Sequence, residues 1–410
     1  VKEVEVFVVG AGSGGLAASY HLKQRGIEHV VLERGRIGES WASQRWDSFA
    51  LNTPNWSNVL PGDRYEGDEP DGFWHRDEFV DYLRSYVDRH ALPVVENAVT
   101  TSLDRGSDGR FLVSSGGGDY SSGAVVIASG IMSEPRSSAM ASALSESVTQ
   151  LNAATYRSPS DVPDGAALVV GSAQSGVQIV EDLLAAGREV YLSTSKVGRA
   201  PRNYRGRDII EWWRDMKFLD LTPAQLEDPA AVNVTQPQVS GTRGGHTVSL
   251  QQLHRDGCKL LGRISDIQGT RLELTANLTE NIAFGDSLAA RLKEGVDKYI
   301  ASNGVDAPVV ELDPVEAPID DLGGASAITS LELAEVGVNT VIWTTGFTGD
   351  FSWVNVPVLD DRGMPIHDEG AAPVDGIYFV GFPWLRKRKS GIIYGVGEDA
   401  GVIVERIASH

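Results

Sequence analysis

Cysteine is almost absent from this sequence: Cys258 is the only one in 410 residues. A single thiol closes no disulfide within the chain, and no Cys-x-x-Cys pair is present for dithiol relay or zinc. No apolar run approaches the ~18 residues that would span a bilayer, so no membrane partner is expected. The apolar stretch Val4–Val9 is too short for a signal peptide. It carries Glu5, follows Glu3 and leads straight into a glycine turn, so a cytoplasmic location is expected. Basic charge is scarce as well: 36 lysines and arginines stand against 56 acidic residues, for a formal charge of −20. Such a surface repels phosphate backbones and anionic lipid, which argues against nucleic-acid partners. The eight histidines show no pair at metal-ligand spacing. His246 and His254 stand apart with no acid partner evident in sequence, so no metal is expected.

Apolar residues are not scarce. At 41% hydrophobic and 8% aromatic, the chain can bury a full core in each of two domains, which excludes disorder.

The chemistry begins at Val4–Val9, a short β-branched run that reads as a buried parallel strand. It enters Gly10-Ala11-Gly12-Ser13-Gly14-Gly15, and Leu16–Leu22 follows with helical character. A second apolar strand, His29–Leu32, ends at Glu33. Strand, glycine turn, helix, strand and acid in this order are the dinucleotide fingerprint. Gly10 permits the tight turn, Gly12 lets backbone approach a pyrophosphate, and Gly15 lets the helix pack on the strand. The helix start offers free N–H groups to the anion. Glu33 can accept hydrogen bonds from a ribose diol and would repel a 2′-phosphate, so this site suits FAD or NAD.

A second unit repeats the plan. The strand Ala166–Val170 runs into Gly171-Ser172-Ala173-Gln174-Ser175-Gly176 and a helix from Val177 to Ala186. Ala173 stands where the middle glycine would be and adds a methyl at the closest approach of a pyrophosphate. After the next strand, Glu189–Leu192, hydroxyls and cations replace the acid: Ser193, Thr194, Ser195, Lys196 and Arg199. That set is what a 2′-phosphate requires, so NADPH is expected here, with Ser172, Gln174, Ser175, Gly176, Ser195, Lys196 and Arg199 as its contacts. The bland alternative is a surface loop that happens to be basic.

The fold class expected is α/β, with two Rossmann-like dinucleotide-binding domains and the NADPH domain inserted into the FAD domain. The boundaries are placed at residues 1–156 (FAD, first part), 165–330 (NADPH) and 331–410 (FAD, second part). Residues 37–62 read as an irregular loop and Asp77–Arg89 as an amphipathic helix. Val94–Val99, Phe111–Ser114, Ala124–Ala128, Val338–Trp343 and Gly376–Val380 read as strands.

With both turns in place, the chain resembles the flavin-containing monooxygenases, in particular the bacterial branch near the plant auxin-forming flavin monooxygenases. The likeness is carried by the first turn with Glu33, Gly38-Glu39-Ser40-Trp41, Arg45-Trp46, Leu51-Asn52-Thr53-Pro54, Leu60-Pro61-Gly62 and Ala128-Ser129-Gly130. It continues through Gly171–Gly176, Thr345-Gly346-Phe347 and Gly395-Val396-Gly397-Glu398-Asp399-Ala400. The resemblance implies FAD reduced by NADPH, then reaction with O2 to a flavin C4a-hydroperoxide that oxygenates a small organic substrate at nitrogen, sulfur or a carbonyl carbon. The implied FAD site comprises Gly10, Gly12, Ser13, Gly14, Gly15, Glu33, Arg34, Trp41, Arg45, Val99, Ala128, Gly130, Gly346 and Gly381. Asn52 and Thr53 are the residues implied to flank the flavin ring, and no acid–base triad is needed. A homodimer is only the base-rate expectation.

Two departures bear on the NADPH half. Where that family carries Phe, Gly, His and an aromatic ahead of the second turn, this chain has Glu146, Val148 and Asn152, and only Tyr156 is retained. Ala173 is the second departure. They motivate a second reading, a flavin oxidase or dehydrogenase with a degenerate NADPH site. A third, a redox-silent FAD-binding protein, is compatible with the intact first turn, but the basic and hydroxyl residues near Lys196 argue against it. Among smaller signals, Arg199, Arg202, Arg205 and Arg207 read equally as an anion site or a salt-bridge patch. Arg386–Lys389 reads as a solvated turn, and Trp212-Trp213 as core or interface packing.

Overall fold

The computed structural model describes residues 1–409 apart from 137, 235, 320, 321 and 323. Among those residues, two parallel-rich sheets dominate. The first is seven-stranded. Its centre is Lys2–Val9, flanked in parallel by His29–Leu32 and by Gly118–Ile127. Val94–Val95 extends it on one side, and Phe111–Ser115 and Thr100–Arg105 add an antiparallel edge on the other. Gly118–Ile127 divides its length between partners: its first half pairs with Phe111–Ser115, and Val125–Ile127 pairs with Ile377–Phe379. The C-terminal strand therefore joins the sheet that the N-terminus began.

The second sheet is five-stranded, in the order Lys259–Leu261, Val190–Ser193, Ala166–Val170, Val338–Trp343 and Thr149–Asn152. All four pairings are parallel. In both sheets, the strand before the glycine turn has the next strand in sequence on one side and a later strand on the other. The turn thus opens at a topological switch point, where parallel α/β sheets bind ligands.

These strands form for a local reason. Ala166–Val170 and Val190–Ser193 are buried along their whole length. Lys2–Val9 is exposed at its start and buried from Val6 onward. Burial of each Val or Leu side chain contributes about 1.5–3 kcal/mol before the chain-ordering cost.

The boundaries expected at 156 and 331 need correction. Thr149–Asn152 and Val338–Trp343, assigned from sequence to the FAD domain, both pair within the second sheet. A buried strand is pinned by its neighbours' hydrogen bonds, and local sequence does not name those neighbours. The expected strand Val94–Val99 also divides: Val94–Val95 ends before Asn97 (φ 54°), and pairing resumes at Thr100. The segment 37–62, expected to be irregular, contains a short helix, Glu39–Ser43. Two short strands, Glu134–Pro135 and Phe347–Thr348, pair antiparallel where the chain passes between the sheets.

Candidate functional site

The first glycine turn is shaped by two close approaches of backbone. Gly10 has φ +102°, and a Cβ there would lie 2.7 Å from the Ala128 carbonyl oxygen. A Cβ on Gly15 would lie 1.8 Å from the Gly10 carbonyl oxygen, so only glycine lets the helix Ser13–Gln24 sit so close to its strand. Gly12 differs, because a Cβ there would meet nothing within 4 Å. Gly12 is also the N-cap of that helix and has no side-chain capping bond. An uncapped helix start facing open space presents unsatisfied N–H groups and positive dipole to an anion.

Glu33 is buried at the end of the neighbouring strand. Its carboxylate accepts the Ala11 N–H at 2.8 Å and the Gly35 N–H at 3.0 Å. It therefore braces the turn. Across the helix start lie Val380 and Gly381, the latter at φ +84° with Gly14 Cα 3.6 Å from its Cβ position. The Ser129 hydroxyl, beside Gly10, is buried without a protein partner. Open cradle, uncapped helix, carboxylate and orphan hydroxyl together fit a dinucleotide.

The second turn repeats this geometry. Gly171 has φ +108° against the Thr344 carbonyl, and a Cβ on Gly176 would stand 1.9 Å from the Gly171 oxygen. Ala128–Gly130 and Thr344–Gly346 are thus equivalent: each lies at the end of the strand beside its turn, and Gly130 and Gly346 share positive φ with open space around them. Ala173 is the N-cap of Gln174–Ala185, again without a side-chain capping bond. Ser172 accepts the Ser195 N–H at 3.0 Å through its hydroxyl, tying the turn to the end of the next strand.

The segment from Trp41 to Thr53 holds a buried cation and a contact with the second domain. Arg45 is buried, with its guanidinium 5.4, 5.8 and 5.5 Å from the ring centres of Trp41, Phe49 and Phe347. Among the described residues it has no carboxylate within ion-pair distance, and its hydrogen bond goes to the Gln44 carbonyl. Burial first, and then the Arg157 cation, push its pKa down to about 10. Asn52 accepts the Gln178 amide at 2.9 Å through its side chain and Arg202 at 2.8 Å through its carbonyl, so it joins the first domain to the second. Thr53 is turned away from that contact, its hydroxyl donating to Asn58 at 2.6 Å.

The remaining expected residues divide. Arg34 reaches Glu134 at 3.8 Å, and Val99 is half exposed at a turn. Ser195 and Arg199 line one narrow cleft with Ser172, whereas Lys196 points outward to Glu280 at 3.5 Å. Arg199 is buried and already paired with Asp286 at 2.7 Å and with Glu316. Arg202, Arg205 and Arg207 are likewise paired, with Asp208, Asp297 and the Glu211/Asp215 couple. Asn152 accepts the N–H groups of Ala154 and Thr155 through its side chain, so it builds a turn.

Two expectations are corrected here. Arg386–Lys389 is no solvated turn: Lys387 and Lys389 bind Asp220 and Glu398, Arg386 reaches Asp399 at 3.3 Å, and Arg388 lies 4.2 Å from the Phe218 ring centre. His246 does have an acid partner, Glu181, at 2.6 Å. Sequence reasoning missed this pair together with Gln178. The spacing Gln174, Gln178, Glu181 on one helix face was the available signal, since those positions align at 3.6 residues per turn. Trp212 and Trp213 are core residues of the helix Ile209–Asp215.

Residues 7–218 match the pyridine nucleotide-disulphide oxidoreductase family. An uncharacterized CzcO-like oxidoreductase of Geobacillus kaustophilus is 32% identical over 411 residues, covering 99% of each chain. The indole-3-pyruvate monooxygenase YUCCA6 of Arabidopsis thaliana is 30% identical over 54% of this chain and 54% of its own. Among solved structures, a flavin-containing monooxygenase from Stenotrophomonas maltophilia superposes with a TM-score of 0.67 at 18% identity. It covers 100% of this chain and 99% of that one.

Proposed function

This chain belongs to the pyridine nucleotide-disulphide oxidoreductase family, and from that premise we propose that it is an FAD- and NADPH-dependent monooxygenase of a small organic substrate. When bound, FAD supplies the redox chemistry: two electrons accepted from NADPH and O2 activated on the reduced ring. The disulphide branch of the family is a poor fit. Cys258 is the only cysteine, it is buried, and burial pushes its thiol up to about 12, so no dithiol stands ready to exchange.

The observation that carries the reading is the pair of equivalent turns, each at the start of a helix without a side-chain cap and at a switch point of its own sheet. The first turn, with Glu33, holds the FAD diphosphate and ribose. The second, with Ser172 and Ser195, holds the dinucleotide that delivers hydride. The cluster of Trp41, Arg45 and Phe347 is assigned to the flavin ring, where aromatic surface would exclude water and the guanidinium would attract electron density. Asn52, bonded to Gln178, keeps the second domain's helix in register with the first domain.

The deciding experiment mixes the yellow protein anaerobically with NADPH and follows flavin absorbance near ~450 nm. Prompt bleaching, followed on aeration by recolouring with stoichiometric O2 uptake, supports the proposal. A protein bleached by neither NADPH nor NADH, but reduced by an organic donor, is instead an oxidase or dehydrogenase. The pairing of Arg199 with two carboxylates is the observation that favours this second reading.

A further inference from the structure

The cation expected to greet a 2′-phosphate is present, but its seat is taken. Arg199 lies in the cleft with Ser172 and Ser195, beyond the ends of Ala166–Val170 and Val190–Ser193, where a Rossmann domain places the adenosine ribose. The residue is 6% exposed, and its Nε is buried with no partner among the described residues. Both terminal nitrogens are engaged: Nη2 donates to Asp286 at 2.7 Å and Nη1 to Glu316. The other oxygen of Glu316 accepts from Lys293. Glu316 thus holds two cations at once, in the manner of an oxyanion bound between an arginine and a lysine.

The two carboxylates are held differently. Asp286 sits on the long helix Leu278–Asn303 and also accepts the Gln251 amide at 2.8 and 3.0 Å, so it belongs to the scaffold. Glu316 ends a single 3-10 turn, Pro314–Glu316, none of whose residues is buried. Apart from the Glu316 carboxylate itself, the rest of the protein holds that turn through its backbone carbonyls. Arg255 donates to Pro314, Val315 and Ala317 at 3.1, 2.9 and 3.0 Å, and the Ser249 hydroxyl donates to Val315. Withdrawing it exposes little apolar surface, so its release costs far less than movement of the helix.

We propose that Glu316 is an internal stand-in for the 2′-phosphate of the nicotinamide cofactor. It occupies the Arg199–Lys293 seat and yields it on binding, so the turn at 314–316 sets how strongly the second domain prefers a phosphorylated to an unphosphorylated dinucleotide. The inference rests on the NADPH reading above and adds its specificity device. A phosphate brings more negative charge and more acceptor oxygens than a carboxylate, so it wins the exchange. The unphosphorylated cofactor has nothing to offer Arg199 and leaves Glu316 in place.

The test uses the flavin-loaded protein and equilibrium calorimetry with two fragments, 2′,5′-ADP and 5′-AMP. In Glu316→Gln the seat is vacated of charge, and 2′,5′-ADP is expected to bind about tenfold more tightly, because an occupied site lowers apparent affinity by the fraction of competent molecules. Binding of 5′-AMP is expected to stay within twofold. Arg199→Ala is expected to abolish the preference between the fragments. A Glu316→Gln protein with an unchanged 2′,5′-ADP to 5′-AMP ratio overturns the proposal. Hydrogen exchange on the unmutated protein gives an independent check: 2′,5′-ADP, and not 5′-AMP, is expected to speed exchange at the Val315 amide, and unchanged or slower exchange with ligand bound counts against displacement. If neither fragment binds any of the proteins, the NADPH reading itself falls. If both bind with no Glu316 dependence, only the exchange does.

Discussion

Gly12 and Ala173 occupy the same place in the two turns with nearly the same backbone: φ −82°, ψ −173° at Gly12 and φ −78°, ψ −172° at Ala173. Both are N-caps in the extended region, open to any residue, so the alanine brings a methyl group and no strain. The glycines around them are different. Gly10, Gly15, Gly171 and Gly176 are each held by a carbonyl within 3 Å of the missing Cβ.

A pair of substitutions separates these two uses of glycine. Gly12→Ala is expected to fold with an unchanged melting temperature in its flavin-free form and to lose flavin occupancy, read from the ratio of flavin to protein absorbance. Gly15→Ala drives a methyl into the Gly10 carbonyl, and the helix must shift. It is expected to lose about 1–3 kcal/mol of stability by urea titration, the usual cost of overpacking.

Glu33 braces the turn and, on the proposed reading, also receives the ribose, so its removal should show two effects. Glu33→Ala strips the Ala11 and Gly35 N–H groups of their acceptor and is expected to cost roughly 1–3 kcal/mol in the flavin-free protein. The same variant is expected to purify colourless. Full flavin content in Glu33→Ala would reject the assignment of this carboxylate to the ribose.

Among the described residues Arg45 is a buried cation without a counter-ion, a cost to the flavin-free fold that a bound flavin would offset on the proposed reading. Arg45→Met keeps the length and removes the charge. The urea midpoint of the flavin-free variant is expected to stay level or rise, since a buried unpaired charge is costly. Its FAD affinity, measured by fluorescence titration, is expected to fall roughly 10- to 100-fold, the value of a hydrogen bond to a charged group. A variant that binds FAD normally and is much less stable would make Arg45 a packing residue.

His246 supplies a pH dependence of stability. Burial opposes its charge, but the hydrogen bond and the attraction from Glu181 outweigh that and raise its pKa above 6.5. A raised pKa means the folded state binds the proton more tightly than the unfolded state. The stabilisation is therefore complete below about pH 6.5 and is lost as pH rises through the raised folded value. Melting temperature measured from pH 5.5 to 9 is expected to fall across that window in the native protein (a span chosen to bracket the free histidine value). In His246→Gln the decline over the same window is expected to be shallower. Identical slopes would remove His246 from the account.

Gly10–Gly15 with Glu33, and Gly171–Gly176 with Ser195, could be read directly, because a phosphate-binding turn is a local object. Its glycines, its strand and its helix are neighbours in sequence, and steric demand dictates each residue type. Partnerships across the chain were invisible. Arg199 meets Asp286 and Glu316 across 87 and 117 residues, and His246 meets Glu181 across 65. Residue type announces a charge but not what neutralises it. The placement of Val338–Trp343 in the second sheet was equally hidden, since a mostly apolar strand suits either core. The sequence alone therefore determined where the two glycine turns form. Only the packing of distant segments decided which cations are already spoken for, because electrostatics acts through space and is blind to order along the chain.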